Sequence, residues 1–380
     1  MTIESILSAS LDKYVFVFSD CVPVNGSAAS AIYDLTRGSI STFPSEYYPL
    51  FELFRTRRLG QILDGFSEED RANIREFLDF LSSNEYMTLV DDLEPFPGIP
   101  SSFDEPGVID NAVIDVRAQH HDYRKIVQAL DSLGCQHLQV RSYSTLFGLS
   151  HLGELAELCR GTSIQRLEGV LHHEPALSDE DYVRALHANR ILAGLIVHSA
   201  DQDRTIRVDY GTSGSSAPLV AVEISMTKKK MASCLDCGTI SRSELLAPST
   251  RTLNELRLFN GCLNRKISID EAGHIRNCPA MGRSFGHHQA IALAEVASSS
   301  AFQKSWKIRK DDIQVCRDCQ YRYACTDCRA LLHDPDAENS KPLKCGYDPY
   351  TDSWTDWRRQ AHATGTLRKY RQRVHLPVLP

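Results

Sequence analysis

Nine of the twelve cysteines in this 380-residue chain lie between positions 234 and 345. Thiolate sulfur binds zinc or the iron of an iron–sulfur cluster, and each such site usually needs four ligands. Two cysteines separated by two residues can reach one metal centre around a tight turn, as Cys316 and Cys319 would. The pattern predicts metal binding and leaves zinc and iron open. The candidate ligands are Cys234, Cys237, Cys262, Cys278, Cys316, Cys319, Cys325, Cys328 and Cys345.

A β-hairpin is predicted within this cysteine-rich part of the chain. A strand at 266–269, a turn at 270–273 that contains Gly273 and a second strand would bring Cys262 and Cys278 together at the open end of the hairpin. Two other cysteines, Cys135 and Cys159, lie near predicted helix ends among apolar residues, so we expect them in the core.

Composition and charge restrict the class of protein. The net charge of −7 and the isoelectric point near 6.1 argue against a nucleic-acid-binding surface. The sequence contains no apolar stretch of membrane-spanning length, and its N-terminus does not read as a secretory signal. We therefore expect a cytoplasmic protein with no membrane contact, in which the cysteines stay reduced and favour metal ligation over disulfides. The basic run at 358–380 reads as a solvated tail, with docking to an acidic partner as the alternative.

The N-terminal part of the chain predicts a small winged-helix-like domain over residues 1–90. Three strands come first and three helices follow, the third capped by Ser67 ahead of three acidic residues. A linker with four prolines follows at 91–107. The predicted strands are 14–20, 30–35 and 39–43, and the predicted helices are 45–57, 59–66 and 67–87.

From residue 108 the pattern alternates between strands and helices, which predicts an α/β domain with a parallel sheet over 108–233. Parallel sheets place functional groups at the carboxyl ends of their strands. His120 and His121 follow the first such end and could bind a metal, but adjacent loop histidines are expected to be exposed. The predicted strands are 108–116, 137–143, 164–173 and 191–200, and the predicted helices are 121–134, 146–159 and 178–190.

The cysteine spacing resembles that of a known family. The pattern Cys262-x10-Gly273-x4-Cys278, Cys316-x2-Cys319-x5-Cys325-x2-Cys328 and Cys345 is similar to the SPASM domain of radical SAM peptide-modifying enzymes. The stretches "NRKISIDEAGHIRNCP", "CQYRYACTDCRA" and "SKPLKCGYDPYTDSW" resemble the SPASM-domain peptide maturase of the grasp-with-SPASM (graspetide) systems. The close resemblance covers roughly residues 255–357. One departure is the two-residue gap before Cys328, where three residues are commoner.

The resemblance implies two [4Fe–4S] clusters in a SPASM domain at 234–357. Cys316, Cys319, Cys325 and Cys345 would hold one cluster. Three ligands of the other would be Cys262, Cys278 and Cys328. The fourth would come from Cys234 or Cys237, or one iron would be left open. The alternative for the Cys234–Cys237 pair is a small zinc or redox site.

The cysteine motif that initiates radical SAM chemistry is missing. No stretch has the spacing Cys-x3-Cys-x2-Cys, and residues 117–125, in the loop that should carry it, contain no cysteine. Residues 108–233 therefore resemble a degenerate, partial (β/α) barrel, and no use of S-adenosylmethionine is expected. Because Cys262, Cys278 and Cys328 belong to a different segment, they are not expected to replace that cluster at the mouth of the barrel.

These features predict a maturation protein for a ribosomally synthesised, post-translationally modified (RiPP) peptide. The layout of residues 1–90 is similar to the element that binds a precursor's leader peptide as an added strand, against its third helix. The partners implied are that precursor peptide and an ATP-grasp ligase. Acidic residues around the third helix, such as Glu68 and Asp79, disfavour DNA. The alternatives are a non-enzymatic adaptor stabilised by zinc or clusters, and an iron–sulfur redox enzyme independent of S-adenosylmethionine; whether the protein is an enzyme stays open.

Overall fold

The N-terminal part of the chain combines two small antiparallel sheets with three helices. The computed structural model describes residues 10–210, 221–237, 240–363, 365–366 and 370. A three-stranded sheet has the order β2-β3-β4, and β1 pairs separately with β5. The elements are β1 (Tyr14–Val17), β2 (Cys21–Val24), β3 (Ala29–Asp34), β4 (Ser39–Pro44), α1 (Leu50–Phe54), α2 (Leu59–Asp64), α3 (Glu68–Ser83) and β5 (Met87–Val90).

The predicted three helices are present, but the strands differ from the prediction. The stretch predicted as one strand, 14–20, ends at Val17, and a separate strand β2 starts at Cys21 because the backbone turns between them, with Cys21 N donating to Phe18 O at 2.9 Å. Strand β5 was not predicted. Ser67 caps α3 as expected, its hydroxyl accepting a hydrogen bond from Asp70 N at 3.2 Å.

The β2-β3-β4 sheet is covered on both faces. One face carries Ile32 and Phe43 into an apolar core with α1, α2 and α3. The other face carries Val24 and Tyr33 against Leu253 and the partly buried Tyr323 of the cysteine-rich segment. Period-2 alternation along β3 supplies both sets of contacts, which is why all six of its residues are buried.

The largest sheet has eight strands, six of them parallel, in the order β10-β11-β9-β8-β7-β6-β12-β13. The predicted α/β class is confirmed, and the strands and helices predicted between 108 and 200 are present, with ends shifted by a few residues. These elements are β6 (Asn111–Val116), α4 (Tyr123–Ser132), β7 (His137–Ser142), α5 (Leu149–Cys159), β8 (Arg166–His172), α6 (Asp179–Ala188) and β9 (Leu192–His198). Cys135 and Cys159 lie in the core beneath these helices, as predicted.

Four strands of the large sheet were not part of the predicted parallel run. Strands β10 (Arg204–Asp209) and β11 (Ala221–Thr227) extend one side, with β11 parallel to β9. The predicted hairpin forms the other side: β12 (Lys266–Ile269) pairs in parallel with β6, and β13 (Ile275–Arg276) returns antiparallel. The turn between them contains Gly273, whose φ of +87° favours glycine. The cysteine-rich segment thus adds two strands to the α/β sheet.

The rest of the described chain consists of short elements joined by loops. The helices are α7 (Thr250–Leu258), α8 (Leu293–Ser298), α9 (Ser300–Gln303) and α10 (Trp357–Ala363), and β14 (Tyr347–Asp348) pairs with β15 (Ser353–Trp354). The C-terminal part of the predicted basic tail, 371–380, lies outside the described residues. No helix among the described residues is both long and apolar enough to cross a bilayer.

Candidate metal centres

Seven cysteines of the predicted metal site fall into two groups in the structure. We call Cys316, Cys319, Cys325 and Cys345 the loop set, and Cys262, Cys278 and Cys328 the hairpin set. Within the loop set, negative charge on Cys325 and Cys345 adds to the burial that raises the pKa of Cys316 and of Cys319. Within the hairpin set, negative charge on Cys262 and Cys278 adds to the burial that raises the pKa of Cys328. The division is the same one that the family resemblance implies.

Cys316, Cys319 and Cys325 of the loop set lie in a short 3-10 turn and the loop that follows it, and Cys345 comes from a later loop. Cys319 N donates to Cys316 O at 3.1 Å, closing the turn, and Tyr321 N donates to the Cys319 sulfur at 3.3 Å. Cys316 and Cys325 are buried. Burial, opposed by the nearby Lys310 ammonium, raises the pKa of Cys316 to about 11. The Cys316 thiol would therefore need a metal ion to ionise near neutral pH.

A buried group of charged side chains lies between the two sets. Lys310 Nζ is 3.9 Å from the Cys316 sulfur and 3.1 Å from Asp327 Oδ1. Arg329 contacts the same carboxylate at 2.7 Å. Asn260 donates to Asp327 Oδ2 at 2.7 Å, and its own side-chain oxygen accepts from Cys262 N at 3.1 Å. Asp327 therefore joins the Lys310 contact of the loop set to the Cys262 turn of the hairpin set.

The hairpin set lies at the open end of the β12–β13 hairpin. Lys266 Nζ is 3.7 Å from the Cys262 sulfur. Charge on Cys262, outweighing burial, raises the pKa of Lys266 above its ordinary value, so a positive charge is held beside these thiols. Burial, and to a smaller extent the charge on Cys262, raises the pKa of Cys278 to about 11.

The two remaining candidate ligands, Cys234 and Cys237, lie beside the hairpin set. Cys234 is buried and packs with Cys278 and Cys328, together with two alanines, Ala280 and Ala330. Cys237 is exposed, and its backbone carbonyl accepts a hydrogen bond from Lys344 Nζ. The CxxC pair is thus close enough to the hairpin set to take part in the same site.

Two residues that precede cysteines have positive φ values. Val315, before Cys316, has φ of +67°, and Asp327, before Cys328, also has φ of +67°. A β-branched residue in this region costs on the order of 1–2 kcal/mol. One valine and one aspartate are thus held in unfavourable conformations next to one candidate ligand of each set, a form of strain that is concentrated at functional sites.

The donor sets fit iron–sulfur clusters in their chemistry. Four cysteines form one group, three with a neighbouring CxxC form the other, and a lysine lies beside each, which suits anionic clusters held by thiolates. Among the residues that the structure describes, no three His, Cys, Asp or Glu side chains converge as ligands of one ion. A four-iron cluster does not need that convergence, because each thiolate binds a different iron.

The turn of the β12–β13 hairpin lies at the carboxyl edge of the parallel sheet, whereas Cys262 precedes β12 and lies on the amino side of that strand. At the end of β6, Arg117 pairs with Glu271 in the hairpin turn. Asp115 in β6 is held by Arg141 at 2.7 and 3.0 Å and by Tyr143 at 3.0 Å, all three being buried. Because β12 adds directly to β6, the hairpin that carries Cys262 and Cys278 is attached to the parallel sheet.

The two adjacent histidines after β6 have different environments. His120 is exposed, as expected, but the expectation of exposure is wrong for His121, which is only 7% exposed. Its Nε2 lies 2.9 Å from the carbonyl oxygen of Asp115, so the ring satisfies a buried backbone acceptor. The His121 ring also packs edge-on against His288, with ring centroids 5.5 Å apart.

Several site residues carry no recognisable signal in the sequence. Lys266, Lys310 and Asp327 are charged residues, which are rarely buried unless paired, and their partners are distant along the chain. Tyr33 is another example, since its hydroxyl donates to Gln320 O at 2.7 Å, inside the loop set. Its strand was predicted, but its partner was not.

No protein-family model matches the chain, and no curated protein matches it in sequence.

Proposed function

We propose that this chain is the SPASM-domain maturation protein of a ribosomally synthesised, post-translationally modified peptide pathway. It binds the leader of a precursor peptide through residues 1–90 and acts with an ATP-grasp ligase. The observation that carries the proposal is the grouping of seven cysteines into the loop set and the hairpin set. The proposed cofactors are two [4Fe–4S] clusters, which when bound would stabilise these loops and supply one-electron chemistry.

The outer edge of β4 supports peptide binding by strand addition. Leu35 N donates to Asp20 O at 2.9 Å, and in an antiparallel sheet successive residues direct their backbone groups to opposite neighbouring strands. This bond therefore shows which residues of β3 bond to β2 and which bond to β4. By that alternation, β4 turns the backbone groups of Ile40 and Thr42 away from β3. Nothing among the described residues pairs with this edge. Two free donors and two free acceptors are therefore available to an extended peptide.

The third helix lies where such a peptide would need it. Phe77 of α3 packs on Phe43 of β4, with ring centroids 5.2 Å apart. Tyr86, just after α3, hydrogen-bonds through its hydroxyl to the hydroxyl of Ser41 at 2.6 Å. The helix therefore flanks β4 on one face. The opposite edge of the sheet is less suited, because Pro23 in β2 offers no N–H to a partner strand.

The small sheet is also attached to the loop set. The turn between β2 and β3 bonds to the cysteine-rich segment through Ser27 N, which donates to Asp318 O at 2.9 Å. Tyr33 donates to Gln320 O, between Cys319 and Cys325. A leader bound at β4 would therefore lie two strands away from the contact with a candidate cluster site, which would tether the rest of the precursor near the metal centres.

Peptide binding can be tested with the full-length protein and fluorescent synthetic peptides encoded by short open reading frames beside its gene. Thr42→Pro removes an outward N–H of β4 without removing a bond to β3, and Thr42→Val keeps the N–H as the matched control. Loss of one or two hydrogen bonds should weaken binding about tenfold in Thr42→Pro.

Equal affinities for the two variants would contradict strand addition at β4. No binding by any such peptide to the wild-type protein would contradict precursor recognition altogether. Both variants should retain the metal content of the wild type, since Thr42 is exposed and distant in sequence from the cysteines.

A further inference from the structure

The segment 228–237, which we call the strap, crosses the carboxyl edge of the parallel sheet. It leaves β11 beside the end of β9, where Ser199 N donates to Lys229 O at 3.1 Å and Met231 N donates to His198 Nδ1 at 3.4 Å. It then reaches the end of β6, where Arg117 donates to the carbonyl of Ala232. Since β8 and β7 lie between β9 and β6, the strap spans four neighbouring strands.

The strap ends in a turn that directs Cys234 inward. The Asp236 carboxylate accepts hydrogen bonds from Ala232 N at 2.7 Å and from Ser233 N at 3.0 Å. The Ser233 hydroxyl accepts from Leu235 N at 3.2 Å. These bonds fix the backbone on both sides of Cys234, which is 7% exposed. Cys237, one turn later, is exposed.

The hairpin set supplies three thiols, one fewer than a [4Fe–4S] cluster or a structural zinc ion usually takes. We infer that Cys234, and not Cys237, supplies the fourth thiolate of the hairpin set. The inference rests on the proposed metal loading of that set. Its support is the shared packing of Cys234 with Cys278 and Cys328.

The carboxylates near this position are already engaged. The carboxylate of Asp115 is held by Arg141 and Tyr143, and the carboxylate of Glu271 is paired with Arg117. Cys234 is the buried thiol that remains next to the set. A metal centre held in this way would fasten the strap across the carboxyl edge, so metal loading would also control access to the end of the sheet.

The two cysteines of the strap form a matched pair for the test. Wild type, Cys234→Ala and Cys237→Ala are purified anaerobically and reconstituted, and iron, sulfide and zinc are measured. Cys234→Ala should lose about four irons per chain, and Cys237→Ala should keep the wild-type content. Hydrogen exchange of the strap amides should accelerate in Cys234→Ala alone. Cys234→Ser preserves the side-chain volume, and should change the electron paramagnetic resonance spectrum of the reduced protein where Cys237→Ser does not.

The outcomes separate this inference from the proposed function. Metal loss in Cys237→Ala with none in Cys234→Ala would overturn the assignment, and so would retention of all metal in both variants together with an unchanged electron paramagnetic resonance spectrum in Cys234→Ser. If the wild type holds zinc and Cys234→Ala alone loses it, the ligand assignment stands while the proposed clusters fail. A wild-type protein that retains no metal after reconstitution would overturn both.

Discussion

Asp327→Asn tests whether the buried charges between the two cysteine sets hold this part of the structure together. Asparagine has nearly the same shape and tolerates the φ of +67° at this position, so the change removes charge and little else. It leaves Lys310 and Arg329 buried without their anion, at side-chain exposures of 5% and 2%. Breaking a buried pair by removing one partner costs about 3–5 kcal/mol. Although burial opposes ionisation, Lys310 and Arg329 hold the pKa of Asp327 below its ordinary value, so the charge is present at neutral pH.

The matched control is Asp312→Asn, which removes a carboxylate from a surface ion pair. Arg309 and Asp312 are 41% and 39% exposed and 2.9 Å apart. Exposed pairs contribute about 0–1 kcal/mol. The assay is anaerobic urea denaturation followed by tryptophan fluorescence. The three tryptophans, Trp306, Trp354 and Trp357, all lie in the C-terminal part of the chain, so their transition reports on it selectively.

We expect Asp327→Asn to lower the free energy of unfolding by about 3–5 kcal/mol, and the control to lower it by about 1 kcal/mol or less. Equal effects of the two substitutions would refute the reasoning. Such a result would mean that water or local rearrangement compensates Lys310 and Arg329, and that Asp327 does not link the two sets.

Three further outcomes are expected. Cys319→Ala should reduce both metal content and thermal stability because metal binding contributes to folding of the loops, whereas Cys135→Ala should leave the metal count unchanged; unchanged metal and melting in Cys319→Ala would contradict its assignment. The reduced, metal-loaded protein should not cleave S-adenosylmethionine, and 5′-deoxyadenosine above the apo-protein level in a chromatographic assay would contradict this. Burial, with charge on neighbouring histidines, lowers the pKa of His288 to about 4. The unfolded chain therefore binds the proton more readily, and stability should fall by up to roughly 3 kcal/mol between pH 6.5 and pH 4. His288→Gln should flatten that slope in denaturation measurements and the exposed His187→Gln should not; a slope unchanged in His288→Gln would contradict the account.

The alternating region of the fold could be predicted from the sequence because its information is local. The strands between 108 and 200 carry apolar residues at alternate or successive positions, and the helices between them have an amphipathic face. Asp122, for example, caps α4 by accepting from Lys125 N at 3.1 Å, a bond between near neighbours in the chain. The pairing of β12 with β6 could not be predicted, since it joins residues about 155 positions apart and the register depends on the assembled sheet.

The sequence indicated the candidate cysteines but not the side chains that surround them. Cysteine spacing placed the candidate ligands in the sequence, and the structure groups seven of them. The burial of Lys310 and of His121 depends on partners supplied by tertiary structure, Asp327 for the first and the Asp115 carbonyl for the second. Residue type alone predicts exposure for such side chains, so only the three-dimensional arrangement shows their role.

Metal analysis of the anaerobically purified protein tests the central claim most directly. Two [4Fe–4S] clusters predict about eight irons and about eight sulfides per chain, with the loss of about half of each in Cys319→Ala. Two zinc ions per chain without acid-labile sulfide would contradict the cluster assignment and favour a zinc-stabilised adaptor.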